Sequence, residues 1–152
     1  MSQTRLRHLA FPSLIGAFVA LAFAYSVTIP LGEAADEVSH WSYIQYLLSK
    51  HALPKPEGAV LGESHQPPLY YAIGALATAW IPREEFPVIA DPGFSLTDSQ
   101  AANLLLHTRR EEFPYQGVPL AWHLVRLLSV AMGAITVCST WQIARCTFIC
   151  RR

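Results

Sequence analysis

Two long uncharged runs bracket the chain. No charged residue lies between Leu9 and Pro30, and only Arg126 interrupts Pro119 to Ala144. As helices these runs are roughly 33 and 39 Å long, enough to cross a hydrocarbon core of about 30 Å. Pro12 is tolerated in the first, because a first-turn proline removes no intrahelical hydrogen bond. A third apolar piece, Pro68 to Ile81, is closed by Pro82. It falls short of the roughly 17 residues a spanning helix needs, which predicts an interfacial or re-entrant helix. Between the first run and this piece, Asp36 to Lys50 reads as a helix. Farther on, Leu96, Asp98 and Ser99 are candidates to cap a short helix through Leu104, Leu105 and Leu106.

The pattern predicts an all-α integral membrane protein with two transmembrane helices joined by a long extracytoplasmic loop that carries short interfacial helices. Its divisions are a cytoplasmic N-terminus (1–8), a first span (9–31), the outer loop (32–118), a second span (119–144) and a cytoplasmic tail (145–152). Orientation follows from charge: Arg5 and Arg7 precede the first span, Arg145, Arg151 and Arg152 follow the second, and positive flanks favour the cytoplasmic side. A cleaved signal peptide is the competing reading of the first run, since Ala22-Phe23-Ala24 fits a small-x-small cleavage pattern. The run continues beyond the usual length of such a segment.

Composition agrees, being 52% hydrophobic and 14% charged. The formal net charge of zero gives no sign of nucleic-acid binding, but its distribution is uneven. All eleven acidic residues fall between Glu33 and Glu112 against five basic ones, a local charge of −6. Cys138, Cys146 and Cys150 all lie in or after the second span, which argues against a disulfide framework in the outer loop.

The densest chemistry lies from Asp36 to Tyr71. On a helix, Asp36 and His40 are one turn apart and share a face, while Glu37 falls beside Trp41 and Ile44. One reading is a carboxylate and imidazole presented together at the membrane surface. The other is an ordinary first turn whose acids complement the helix dipole. In Glu63-Ser64-His65-Gln66-Pro67-Pro68 the paired prolines hold the polar residues on a stiff turn. Glu63, His65 and His40 offer oxygen and nitrogen ligands for a divalent metal ion, with a hydrogen-bonded turn as the alternative. Tyr70 and Tyr71 suit a membrane interface. In the second span His123 and Arg126 are three apart on one face. An ionisable residue there marks a site for an anionic phosphate, or snorkels to the interface.

Asp36-Glu37 after the first span, the HQPPLYY stretch and HLVRLLSVAMGAITV in the second span together resemble the N-terminal part of polytopic GT-C glycosyltransferases. The closest group comprises the polyprenyl-phosphate-sugar enzymes related to protein O-mannosyltransferases and lipid A aminoarabinose transferases. The resemblance implies a fragment of a larger GT-C fold, truncated or frame-shifted, in a bacterial plasma membrane with its loop outside. It implies inverting transfer of a sugar from a polyprenyl-phosphate donor to an acceptor hydroxyl. Asp36, with Glu37 second, would be the catalytic base. Gln66, Tyr70 and Arg126 would bind substrate, and Glu63 with His65 would contact metal. Relatives often have a lysine where Gln66 stands, which weakens its implied phosphate contact. The partners implied are the lipid-linked sugar and membrane lipid, with no nucleic acid. The contrasting expectation is a non-catalytic two-span protein whose loop binds a partner or a metal.

Overall fold

The computed structural model describes residues 3–55, 63–95, 97 and 101–149, and the side chains among them from residue 10 to residue 147. It is all-helical: α1 (Gln3–Thr28), α2 (Glu37–Lys50), α3 (Leu69–Thr78) and α4 (Gly117–Ile149), with one 3-10 turn at Arg109–Glu111. Among the described residues there is no strand, only an isolated antiparallel bridge between Ala90 and Leu105. Two segments are apolar and long enough to cross a membrane, Ala10–Thr28 and Gly117–Thr147. The chain forms two compact units, residues 1–28 with 126–152, and residues 29–125.

In the first unit α1 and the body of α4 run antiparallel. Phe11 stacks on Trp141 at 5.4 Å, and the Arg126 guanidinium donates to the Ser26 carbonyl at 2.8 Å. Gly133 lets Phe18 approach so closely that a Cβ there would lie 2.6 Å from its ring. These contacts descend on one helix as they climb the other. Small residues at such crossings are how apolar helices pack where lipid surrounds them.

In the second unit α2, α3 and the first turns of α4 enclose a core. Ile44 is fully buried, and Tyr43, Thr78 and Trp122 are nearly so. Trp41 of α2 stacks on Trp122 of α4 at 5.1 Å. Gly74 gives Ile44 its place on α3, since a Cβ at Gly74 would lie 2.9 Å from Ile44 Cδ1. Helix α2 stops where His51 turns left-handed (φ 50°) and its N–H bonds to the Leu47 carbonyl, three residues before Pro54. Helix α3 begins on Pro68, whose carbonyl accepts the first helical bond from Ala72 N–H at 2.9 Å.

One expectation is corrected. Leu104, Leu105 and Leu106 are not helical: Asp91 N–H donates to the Leu104 carbonyl and Leu106 N–H to the Ile89 carbonyl, both at 2.8 Å. The amides of Leu104 and Leu105 bond instead to the Glu33 carboxylate, at 3.0 and 2.8 Å. A side chain distant in sequence thus takes the donors that a helix would have used. The caps expected at Leu96, Asp98 and Ser99 lie outside the described residues, as do Cys150, Arg151 and Arg152.

Candidate functional site

The second unit brings part of the expected constellation together. Asp36 stands at the N-cap of α2 in the left-handed region (φ 59°), and its side chain makes no capping bond. A non-glycine residue there is uncommon, though Asn and Asp are enriched among those that adopt it, and such conformations concentrate at functional positions. The Asp36 carboxylate is therefore exposed and not committed to its own helix. Glu37 is used differently: its Oε2 accepts from Gly32 N–H at 2.8 Å, which ties the start of α2 to the turn after Pro30. The structure separates the two acids into one available and one engaged.

His40 lies one turn on, its N–H bonded to the Asp36 carbonyl at 3.0 Å. Its Nδ1 is 2.8 Å from the Tyr71 hydroxyl. Burial, followed by the charge on Glu63 and the neighbouring Tyr70 and Tyr43, pushes the Tyr71 hydroxyl up to about 12. A phenol so placed keeps its proton, and it meets Nδ1 either as donor, with Nε2 then the ring N–H, or as acceptor from Nδ1–H, with Nε2 then the acceptor. The position of Tyr71 is fixed by packing: its ring lies flat on Tyr43 at 3.9 Å, and Tyr70 meets it edge-on at 5.3 Å.

Glu63 is partly buried, and its Oε2 has no hydrogen-bond partner among the described residues. An unpaired buried carboxylate oxygen is expensive, and native structures keep few of them. Gln66 closes a turn onto Glu63 through its backbone, N–H to carbonyl at 3.0 Å, and His65 is exposed. The residues expected to hold a divalent ion do not converge. Among the described residues no group of three or more His, Cys, Asp or Glu side chains has the spacing for a metal, and His40 already uses Nδ1 on Tyr71. Arg126 belongs to the first unit, bonded to Ser26. His123 is buried in the second unit with its ring stacked on Tyr115 at 3.8 Å.

A second polar cluster has no counterpart in the sequence reading. His107 lies between two carboxylates, with Nε2 2.9 Å from Glu33 Oε1 and Nδ1 2.8 Å from Glu111 Oε2. Both ring nitrogens face acceptors, which calls for the doubly protonated imidazolium. Burial alone would lower the pKa of His107, but the bonds to Glu33 and Glu111 outweigh it and raise the value above 6.5. For Glu33 burial pushes up, yet the bonds from Leu104, His107 and Leu105 outweigh it and hold the carboxyl below 4.5. Part of this was readable: Thr108-Arg109-Arg110-Glu111 has capping-box spacing, and Glu111 Oε1 accepts from Thr108 N–H at 3.2 Å. Every carboxylate oxygen in the cluster is occupied, so it reads as a staple rather than a reactive centre.

No family model, curated protein or solved structure matches this chain.

Proposed function

We propose that the second unit carries the acid–base side of a glycosyl transfer from a polyprenyl-phosphate-linked sugar to an acceptor hydroxyl, with Asp36 as the base. The observation that carries this reading is the sorting of the two acids at the start of α2. Glu37 is bonded into the fold, whereas Asp36 is exposed, free of a capping bond and held in a strained backbone conformation. A hydroxyl is a weak nucleophile until a positioned base removes its proton, and an available carboxylate meets that need.

His40 and Tyr71 support this role from one turn away. The packed Tyr71 hydroxyl holds Nδ1 and so orients the ring, which leaves Nε2 to hydrogen-bond a sugar hydroxyl. Glu63 Oε2, which has no hydrogen-bond partner among the described residues, supplies an acceptor for a sugar hydroxyl. Two helices of membrane-spanning length, α1 and α4, enter and leave this unit, which suits a substrate whose carrier is a lipid. The reading places the loop on the outer face of a bacterial plasma membrane. No step is assigned to a metal, because the candidate ligands do not gather.

The test is a loop exchange. Replacing the first outer loop of an active polyprenyl-phosphate-sugar transferase, with its flanking turns, by residues 29–125 should preserve transfer of radiolabelled sugar. A chimera that inserts and binds the donor with parental affinity, yet forms no product, would overturn the reading.

A further inference from the structure

The second unit contains a cavity of about 630 Å³ beside the C-terminal end of α3, walled on its other side by the chain from Arg109 to Leu120. It is a site separate from the His40–Tyr71 cluster. Tyr71 and Trp80 are nine residues apart, roughly 14 Å along a helical path. The volume falls in the range that takes a small molecule or a head group, about 300–1,000 Å³.

The lining sets the chemistry. Two rings, Trp80 and Phe113, are 68% and 81% exposed, large apolar surfaces beside open space. Around them lie Arg109, Arg110, Glu84 and Glu112, two charges of each sign. Arg110 reaches Glu84 at 3.1 Å. A simple anion would meet two carboxylates, and a simple cation two guanidinium groups. A wholly apolar ligand would strip water from all four charges without replacing it. A ligand carrying both signs satisfies the set: its phosphate takes the planar guanidinium donors, and its ammonium lies over the aromatic faces and beside the carboxylates.

A second observation adds a tail to that head. Along α3 and the turn after it, Leu69, Ile73, Leu76 and Trp80 recur every three or four residues, at 71%, 38%, 78% and 68% exposure. Every exposed residue from Pro67 to Trp80 is apolar. This stripe ends on Trp80, which also lines the cavity, so one continuous surface leads from an apolar track into a charge-balanced hollow. The unit is continuous in sequence with two segments long and apolar enough to cross a membrane, Ala10–Thr28 and Gly117–Thr147.

We propose that this surface binds a zwitterionic phospholipid, with the head group in the cavity and an acyl chain along Leu69, Ile73 and Leu76. Ethanolamine and choline head groups share the phosphate and ammonium that the lining requires. They differ in that only ethanolamine donates hydrogen bonds to Glu112. The proposal does not rest on the transferase reading, and its test needs no turnover.

The full chain is placed in nanodiscs containing phosphatidylethanolamine, phosphatidylcholine or phosphatidylglycerol with brominated acyl chains. Quenching of Trp80 is taken as the difference between the natural protein and W80F. The expected result is half-maximal quenching at an at least fivefold lower mole fraction of either zwitterionic lipid than of phosphatidylglycerol. That preference should vanish in an Arg109→Ala, Glu112→Gln variant whose near-UV circular dichroism is unchanged. Equal quenching by all three lipids in the natural protein means contact with the bulk bilayer only and overturns the proposal. So does absence of Trp80 quenching, or a head-group preference that survives in the variant.

Discussion

Replacing His107 by alanine tests the staple that holds the chain before α4 to the turn after α1. The substitution removes two charge-assisted hydrogen bonds, at 2.9 and 2.8 Å. Such bonds contribute about 1.5–3 kcal/mol each, and leaving their carboxylates without the cation adds to the loss. The three side chains are 13–18% exposed, so water recovers part of it, and a net loss of about 2–4 kcal/mol is expected. The effect depends on pH in a fixed direction. His107 is raised above 6.5, so its contribution is complete below pH 6.5 and lost as pH rises through the folded value. Glu33 is held below 4.5, so its contribution is present above pH 4.5 and lost as pH falls through its own folded value. The staple is therefore strongest between those limits. Hydrogen exchange at the Leu104 and Leu105 amides, both bonded to Glu33, reads it locally. At pH 6, H107A should lower their protection roughly 30-fold to several hundred-fold, at 1.4 kcal/mol per tenfold. After correction for intrinsic exchange, the gap to the natural protein should narrow as pH rises through the folded value of His107. Equal protection in the two proteins at pH 6, or a gap that widens with pH, would refute the reasoning.

Gly32 has φ +82°, and a Cβ there would lie 2.6 Å from Leu105 Cδ1, so Gly32→Ala should destabilise the second unit by about 2–4 kcal/mol in denaturant titration. Asp36→Gly should leave that unit as stable or up to about 1 kcal/mol more stable, because glycine relieves the left-handed strain and no side-chain cap is lost; marked destabilisation would mean that Asp36 is structural. With the native cysteines replaced, an impermeant thiol reagent applied to intact cells should label S95C and not S2C, and the reverse pattern would invert the topology.

The elements set by local pattern were the legible ones. The two apolar runs, the helix from the acidic pair to Lys50 and the short apolar helix after the paired prolines each follow from residues within one or two turns. What escaped was partnership over distance. Upstream capping candidates predicted a short helix through Leu104, Leu105 and Leu106, but Glu33, more than 70 residues earlier, captures the amides of Leu104 and Leu105. The His40–Tyr71 bond joins residues 31 apart, and only the packing of α2 on α3 makes it. Tyr71 was placed as an interfacial ring, whereas it is buried against Tyr43. The candidate site was legible as a list of residue types and not as roles. Asp36 and Glu37 are adjacent and chemically alike, and only the backbone turn at Asp36 and the Gly32 amide set them apart.

That division is also where the functional account is most exposed. In the loop-exchange chimera, turnover and donor binding are measured on the same preparation for Asp36→Asn and Glu37→Gln. Asn keeps the shape of Asp36 but takes no proton, so kcat should fall by about 10²–10⁴ while donor affinity changes little. Glu37→Gln keeps an acceptor for Gly32 N–H and should retain most of the turnover. A near-normal kcat for Asp36→Asn would contradict the account.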